Sequence, residues 1–117
     1  MSRIKIALEA DLVDGESRAF SFQRNDQRID AFLIRYEGSF HAYANVCRHL
    51  PVSLDYEDGQ FFNREKNFVV CRTHGALYHP ANGQCVQGPC GGESLFPVTI
   101  MVEDGAVWLN EEGATAL

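Results

Sequence analysis

Basic side chains are scarce in this chain of 117 residues: ten Lys+Arg stand against 16 Asp+Glu, a formal charge of -6. That balance excludes a nucleic-acid binder working through a basic patch. Cysteine is also sparse, with four residues, too few for a disulfide scaffold. No apolar run approaches the ~18 residues of a membrane span, so no membrane association is expected. The N-terminal stretch carries Glu9 and Asp11 where a secretory signal needs an apolar segment, and the expected location is cytoplasmic. G-x-S-x-G, Walker and dinucleotide motifs are all missing, and with them any evident catalytic apparatus, so the chain is not expected to be an enzyme in its own right. There is no repeat, low-complexity segment or linker, which leaves one domain over residues 1–117.

What is present is a soluble, foldable composition, 45% hydrophobic and 22% charged. The charge is uneven. Residues 1–47 hold six basic and seven acidic side chains, and residues 48–117 hold four and nine. The acidic half contains three of the four cysteines, and Cys47 stands at its border.

Short strands recur along the chain. Residues 17–23 (SRAFSFQ) lie between Asp14-Gly15 and Asn25-Asp26, and residues 28–36 (RIDAFLIRY) end at Glu37-Gly38. Residues 39–44 (SFHAYA) follow, so Glu-Gly reads as a hairpin turn. Residues 66–70, 95–102 and 106–110 read as further strands, the last two joined by a turn at Glu103-Asp104-Gly105, and residues 4–8 add one at the start. Runs of this length are too short for typical helices. The expected fold is all-β, a small antiparallel sandwich or barrel. Its core is expected to draw on Phe20, Phe22, Phe32, Ile34, Phe40, Val70, Ile100, Val102 and Trp108. Residues 45–94 break the strand rhythm and form an insertion.

Two loops in that insertion share one theme. Cys47-Arg48-His49 is a C-x-H, and Cys71-Arg72-Thr73-His74 is a C-x-x-H. Each supplies one thiolate and one imidazole, and the four together satisfy either tetrahedral zinc or a two-iron cluster. Gly75 follows the second histidine, where close approach of the backbone to something bulky is expected.

Cys47-x-His49 with Cys71-x-x-His74-Gly75 and Tyr78 resembles the binding signature of Rieske [2Fe–2S] proteins. Asn45 before the first loop and Gly88-Pro89 after the second extend the resemblance, as does the strand pattern on both sides. The resemblance implies one [2Fe–2S] cluster per chain, bound by loops within about residues 45–92. Cys47 and Cys71 would ligate one iron, and His49 and His74 the other. Gly75, Tyr78 and Pro89 would surround the cluster. With two thiolates the oxidised site is neutral and the reduced site singly negative, which makes reduction easier than in a four-cysteine site. Protons on the two histidines would be linked to the electron.

Departures from the family pattern narrow the class. Val52 and Thr73 stand where high-potential members carry a disulfide, and Ala76 stands where they carry a Ser that hydrogen-bonds a sulfide. Both departures lower the expected potential, toward about -150 mV rather than about +300 mV. The gap from His49 to Cys71 is longer than in comparable ferredoxins, with the excess around residues 56–66. Arg48 and Arg72 flank the cysteines, and Leu50, Pro51 and Pro89 offer an apolar collar. Cys85 is expected to be buried and structural. Cys90 has no family role, although the spacing of the two suits zinc or a disulfide. His41 and His79 match no ligand position.

The resemblance therefore implies a soluble one-electron carrier, a Rieske-type ferredoxin. Its implied partners are a reductase and a terminal oxygenase or reductase. A small Rieske subunit of a nitrite-reductase-like complex is the alternative within the family. A zinc-stabilised protein-binding module is the alternative outside it.

Overall fold

The computed structural model describes residues 3–46, 54, 59–72, 75–88 and 92–116. They form ten strands: β1 (Ile4–Leu8), β2 (Ser17–Arg24), β3 (Gln27–Tyr36), β4 (Ser39–Ala44), β5 (Val69–Val70), β6 (Leu77–Tyr78), β7 (Cys85–Gln87), β8 (Ile100–Glu103), β9 (Ala106–Leu109) and β10 (Ala114–Thr115). The one helical element among the described residues is a 3-10 turn at Glu9–Asp11. The strands make three sheets in the orders β1-β9-β8, β10-β2-β3-β4 and β5-β6-β7, and every pairing within them is antiparallel. The expected all-β fold is observed, and the β5-β6-β7 sheet is the insertion between β4 and β8.

The hairpins form where the turn residues require them. Asn25 and Asp26 have φ of 52° and 62°, Glu37 and Gly38 have 49° and 82°, and Asp104 and Gly105 have 54° and 73°. Two successive left-handed residues match the twist of the strands they join. Registers follow directly, with Arg24 opposite Gln27, Tyr36 opposite Ser39 and Glu103 opposite Ala106.

Strand β3 is the middle of the molecule. Ala31, Phe32, Leu33 and Ile34 are all buried, although a strand with one wet face would bury only alternate residues. Phe32 and Ile34 point into a cluster with Leu54, Phe61, Phe62, Val69, Cys71 and Tyr78, beneath the inserted sheet. Ala31 and Leu33 join Phe22, Ala42, Val98, Val107 and Leu109 on the other side. The sheet containing β3 is thus a shared wall between two cores.

Several sequence expectations shift. The strand expected at 66–70 shrinks to Val69–Val70, because Lys66 takes φ of 62° and Asn63 Oδ1 accepts from the amides of Asn67 and Phe68, forming a turn. The run at 95–102 becomes a strand only from Ile100, since Pro97 has no N–H to continue a ladder. Its first part still lies along β4, with Ala44 N donating to Phe96 O and Val98 N to Ala42 O. Of the expected core, Phe22, Phe32 and Ile34 are fully buried, whereas Val102 is 45% exposed. Trp108 is half-buried, with Val107 and Leu109 turned inward in its place. The indole N–H donates to Glu103 O at 3.1 Å, and the Arg3 guanidinium covers the ring at 4.9 Å.

Candidate metal centre

Cys71 is the first residue after β5 and is 0% exposed. The chain reverses immediately behind it. Gly75 N donates to Cys71 O at 2.8 Å, and Cys71 N donates to Ala76 O at 2.9 Å, closing a tight turn that leads into β6. Gly75 has φ of +74°, a conformation that side chains with a Cβ adopt at a cost. No described atom lies within 4 Å of where its Cβ would be. The positive φ of the turn by itself favours glycine at this position.

Among the described residues, a close approach occurs at Gly88. A Cβ there would fall 2.9 Å from Ala76 Cα, and φ is +110°. The end of β7, just before Pro89, thus rests on the backbone of the Cys71 turn. Tyr78, two residues along β6 from Ala76, is buried and pairs with Val69 on one side and Cys85 on the other.

One residue joins the two halves of the signature. Leu54 is fully buried, its N–H donates to Asn45 Oδ1 at 2.8 Å, and its carbonyl accepts from Arg72 N at 2.8 Å. Asn45 stands at the exit of β4, anchored by its own N–H to Asp30 O at 2.8 Å. Cys47 and His49 fall between Asn45 and Leu54 in the sequence. Leu54 in turn bonds to the residue next to Cys71. Asn45, two residues before Cys47, and Arg72, next to Cys71, are thereby tied to the same residue.

Of the candidate residues, Cys71, Gly75 and Tyr78 are described, and they sit together on the β5-β6 hairpin. Cys47, His49, His74 and Pro89 lie outside the described residues, as do Arg48, Leu50, Pro51, Val52, Thr73 and Cys90. Two histidines outside the signature are placed elsewhere. His79 lies at the far end of β6 from the Cys71 turn, its Nδ1 accepting from Ala81 N at 3.1 Å and its ring edge-on to Tyr36. His41, on β4, has its pKa lowered by burial and then by the nearby His79 charge. Sequence reasoning missed Leu54 and Phe61, because both fall within the irregular segment, where no periodicity marks a buried side chain. Cys85 is buried as expected, and it is disulfide-bonded.

Among the described residues, no helix is long and apolar enough to cross a membrane. Residues 2–108 match the family model of the Rieske [2Fe-2S] domain. The chain is 30% identical over 102 residues to the ferredoxin component of the alkene monooxygenase system of Xanthobacter autotrophicus (strain ATCC BAA-1158 / Py2), covering 87% of this chain and 75% of that protein. The ferredoxin of carbazole 1,9a-dioxygenase from Nocardioides aromaticivorans IC177 has a similar fold, with a TM-score of 0.71 at 19% identity over 93% of this chain and 97% of the other. A chain in the complex of reduced oxygenase and oxidized ferredoxin in carbazole 1,9a-dioxygenase gives a TM-score of 0.70 at 22% identity, over 92% of this chain and 91% of that chain.

Proposed function

Because the chain belongs to the Rieske [2Fe–2S] domain family, we propose that it is the ferredoxin component of an oxygenase system, taking one electron from a reductase and delivering it to a terminal oxygenase. The observation that carries this reading is the Asn45–Leu54–Arg72 link, which roots both halves of the signature in one rigid frame. The relatives support the assignment of role, since the named proteins are ferredoxin components and not catalytic subunits.

We assign Cys47 and Cys71 as the thiolate ligands and His49 and His74 as the imidazole ligands, with Gly75, Tyr78 and Pro89 around them. When bound, the cluster supplies storage and release of a single electron. The protein does the rest. Cys71 is held out of water, so its sulfur is kept from solvent and from dissolved oxidants. The turn closed by Gly75 fixes the direction in which the chain leaves Cys71. Ala76 is fully buried and has no hydroxyl to donate to a sulfide, which favours the less negative, oxidised state. Four filled protein positions leave no open site for an organic substrate, so the role is transfer and not catalysis. Electron transfer between proteins needs only a small, transient contact. A cytoplasmic setting fits this role.

The test is paramagnetic resonance of dithionite-reduced protein, with iron and acid-labile sulfide measured on the same sample. The expected result is a low-average-g signal, lost in both His49→Ala and His74→Ala. A colourless protein holding zinc without sulfide after reconstitution under anaerobic conditions would overturn the proposal.

A further inference from the structure

The turn between β6 and β7 is one place where the inserted sheet meets the rest of the molecule. His79 N donates to Gln84 O at 2.8 Å and Gly83 N to His79 O at 2.7 Å, which closes the turn. Three contacts seat it on β3 and β4. The Tyr43 hydroxyl donates to Pro80 O at 2.7 Å, a buried bond. Gly83 lies so close to Tyr43 that a Cβ would fall 2.9 Å from the ring. The His79 ring stands edge-on to Tyr36, with centroids 6.1 Å apart. On its other side, β6 joins the turn to Ala76, whose carbonyl accepts from Cys71 N. We propose that the 79–83 turn is a latch worked by protons: in acid, protons on His79 and His41 unseat it from β4 and loosen the inserted sheet that carries Cys71. The latch does not rest on the ligand set assigned above.

The first proton acts through a hydrogen bond. Ala81 N donates to His79 Nδ1 at 3.1 Å, so the ring helps to close its own turn. A proton on Nδ1 converts this acceptor into a donor and leaves two N–H groups facing each other. The ring must then turn away from Ala81, and its edge contact with Tyr36 changes with it.

The second proton acts by charge. Register places His41 opposite Ile34, with Tyr36 diagonal to it on the same face of the sheet. Tyr36 carries the His79 ring, so the two imidazoles share that face. The titratable groups facing His41 are Tyr43 on its own strand, Tyr36 on β3 and His79 on the turn. Residues 97–100 contribute no titratable side chain. Asp14, Glu37 and Lys66 line a different cavity beside Tyr36, and Asp14 pairs with Arg35. Among the described residues, neither histidine is in an ion pair with a carboxylate. Tyrosine hydroxyls are uncharged in acid, so no described group on this face offsets two positive rings.

The surroundings of His41 agree. Burial, and then the nearby His79 charge, hold its imidazole below the ordinary value of 6.5. A lowered folded-state value gives stability that is present above pH 6.5 and lost as pH falls through the folded value. A cavity of about 310 Å³, lined by His41, Tyr43, Thr99, Ala81 and Asn82, lies between the turn and β4. Ala81, Asn82 and Thr99 are exposed, so solvent protons reach the rings and the turn has room to move.

Hydrogen–deuterium exchange of the holoprotein at pH 7.5 and 5.5 tests the latch, each rate being divided by the intrinsic rate at that pH. Peptides covering residues 79–87 and 69–78 are compared with residues 17–36. In the wild type at pH 5.5, the first two should lose about fivefold or more in protection while the β2-β3 hairpin keeps its own. His79→Asn places an acceptor oxygen where Nδ1 stands and takes up no proton, so its protection should be the same at both pH values. His41→Gln removes one of the two charges and should lose less than the wild type. An equal acid loss in wild type and His79→Asn would overturn the latch, as would a loss in residues 17–36 as large as in the turn. Equal losses in wild type and His41→Gln would overturn the two-proton form, even if His79→Asn does not fold. A loss confined to 79–87 would overturn the loosening of the inserted sheet. His49 and His74 are present in all three proteins, so acid effects through them cancel. Protein found to hold no cluster yields the same peptides, so the latch and the ligand set fail separately.

Discussion

The rings of Phe32 and Phe61 stack 4.2 Å apart at 6° from parallel, and both side chains are fully buried. Phe32 belongs to the central strand β3, and Phe61 to the segment that makes the gap between the signature halves long. Phe61 and its neighbour Phe62 are therefore buried parts of the fold, whereas residues 64–67 are exposed. Phe61 also docks backbone to backbone, with Val70 N donating to Phe61 O at 2.9 Å just ahead of Cys71. Phe61→Ala is expected to cost about 3–5 kcal/mol, read by chemical denaturation of the holoprotein, with a matching drop in retained iron.

The Leu54 link should be separable from core packing. Asn45→Ala leaves the Leu54 N–H buried without its acceptor, at an expected cost of about 1–3 kcal/mol. Asn45→Asp retains an acceptor oxygen and should recover much of that loss. Iron and sulfide content measured across the pair shows whether the link governs cluster retention. Equal iron in all three proteins would mean that Leu54 does not couple the loops.

Gly75 and Gly88 are expected to respond differently to the same substitution. Gly75→Ala places a Cβ where no described atom is near, so only its φ of +74° is penalised, at roughly 1–2 kcal/mol. Gly88→Ala adds a contact of 2.9 Å with a backbone atom to an unfavourable φ, and something must move. The expected readout is a folded but less stable protein for Gly75→Ala. For Gly88→Ala it is loss of most of the iron.

The midpoint potential should lie toward the low end of the Rieske range, near about -150 mV. Ala76→Ser restores a hydroxyl beside the Cys71 turn, and each hydrogen bond donated to sulfur stabilises the more negative state. The expected shift in a redox titration is positive, on the order of tens of mV. A strongly positive midpoint in the unsubstituted protein would contradict this reading.

Stability at high pH has an identifiable source. Burial pushes the Tyr43 hydroxyl up to about 12, and this group donates to Pro80 O at 2.7 Å. A folded-state pKa above the unfolded value of about 10 gives stability that is fully present below pH 10. That contribution declines as pH rises from 10 and is lost through pH 12. Tyr43→Phe should cost about 0.5–1.5 kcal/mol at neutral pH and flatten the alkaline decline. Denaturation midpoints at pH 7 and pH 11 test both points.

Much of the fold was legible in the sequence because its signals are local. Asn25-Asp26, Glu37-Gly38 and Asp104-Gly105 each take two successive left-handed residues, and a pair of neighbours is enough to specify such a turn. The two Cys-His loops were legible for the same reason, since ligand chemistry and spacing lie within a few residues. Other features are relations between distant segments. Val102 reads as core by composition, but β8 turns that face to solvent. Leu54 and Phe61 sit in irregular chain, where burial has no period to reveal it.

The sequence by itself determined the strand-and-turn plan and the donor atoms available to a metal, because both follow from local backbone preference and side-chain chemistry. The tertiary structure alone decided that β3 is buried on both faces, that Leu54 joins Asn45 to Arg72, and that Gly88 rests on Ala76. The Leu54 and Gly88 contacts link residues nine to eighteen positions apart and the β3 cores gather residues much farther apart, and only close packing in three dimensions selects among the pairings that the sequence allows.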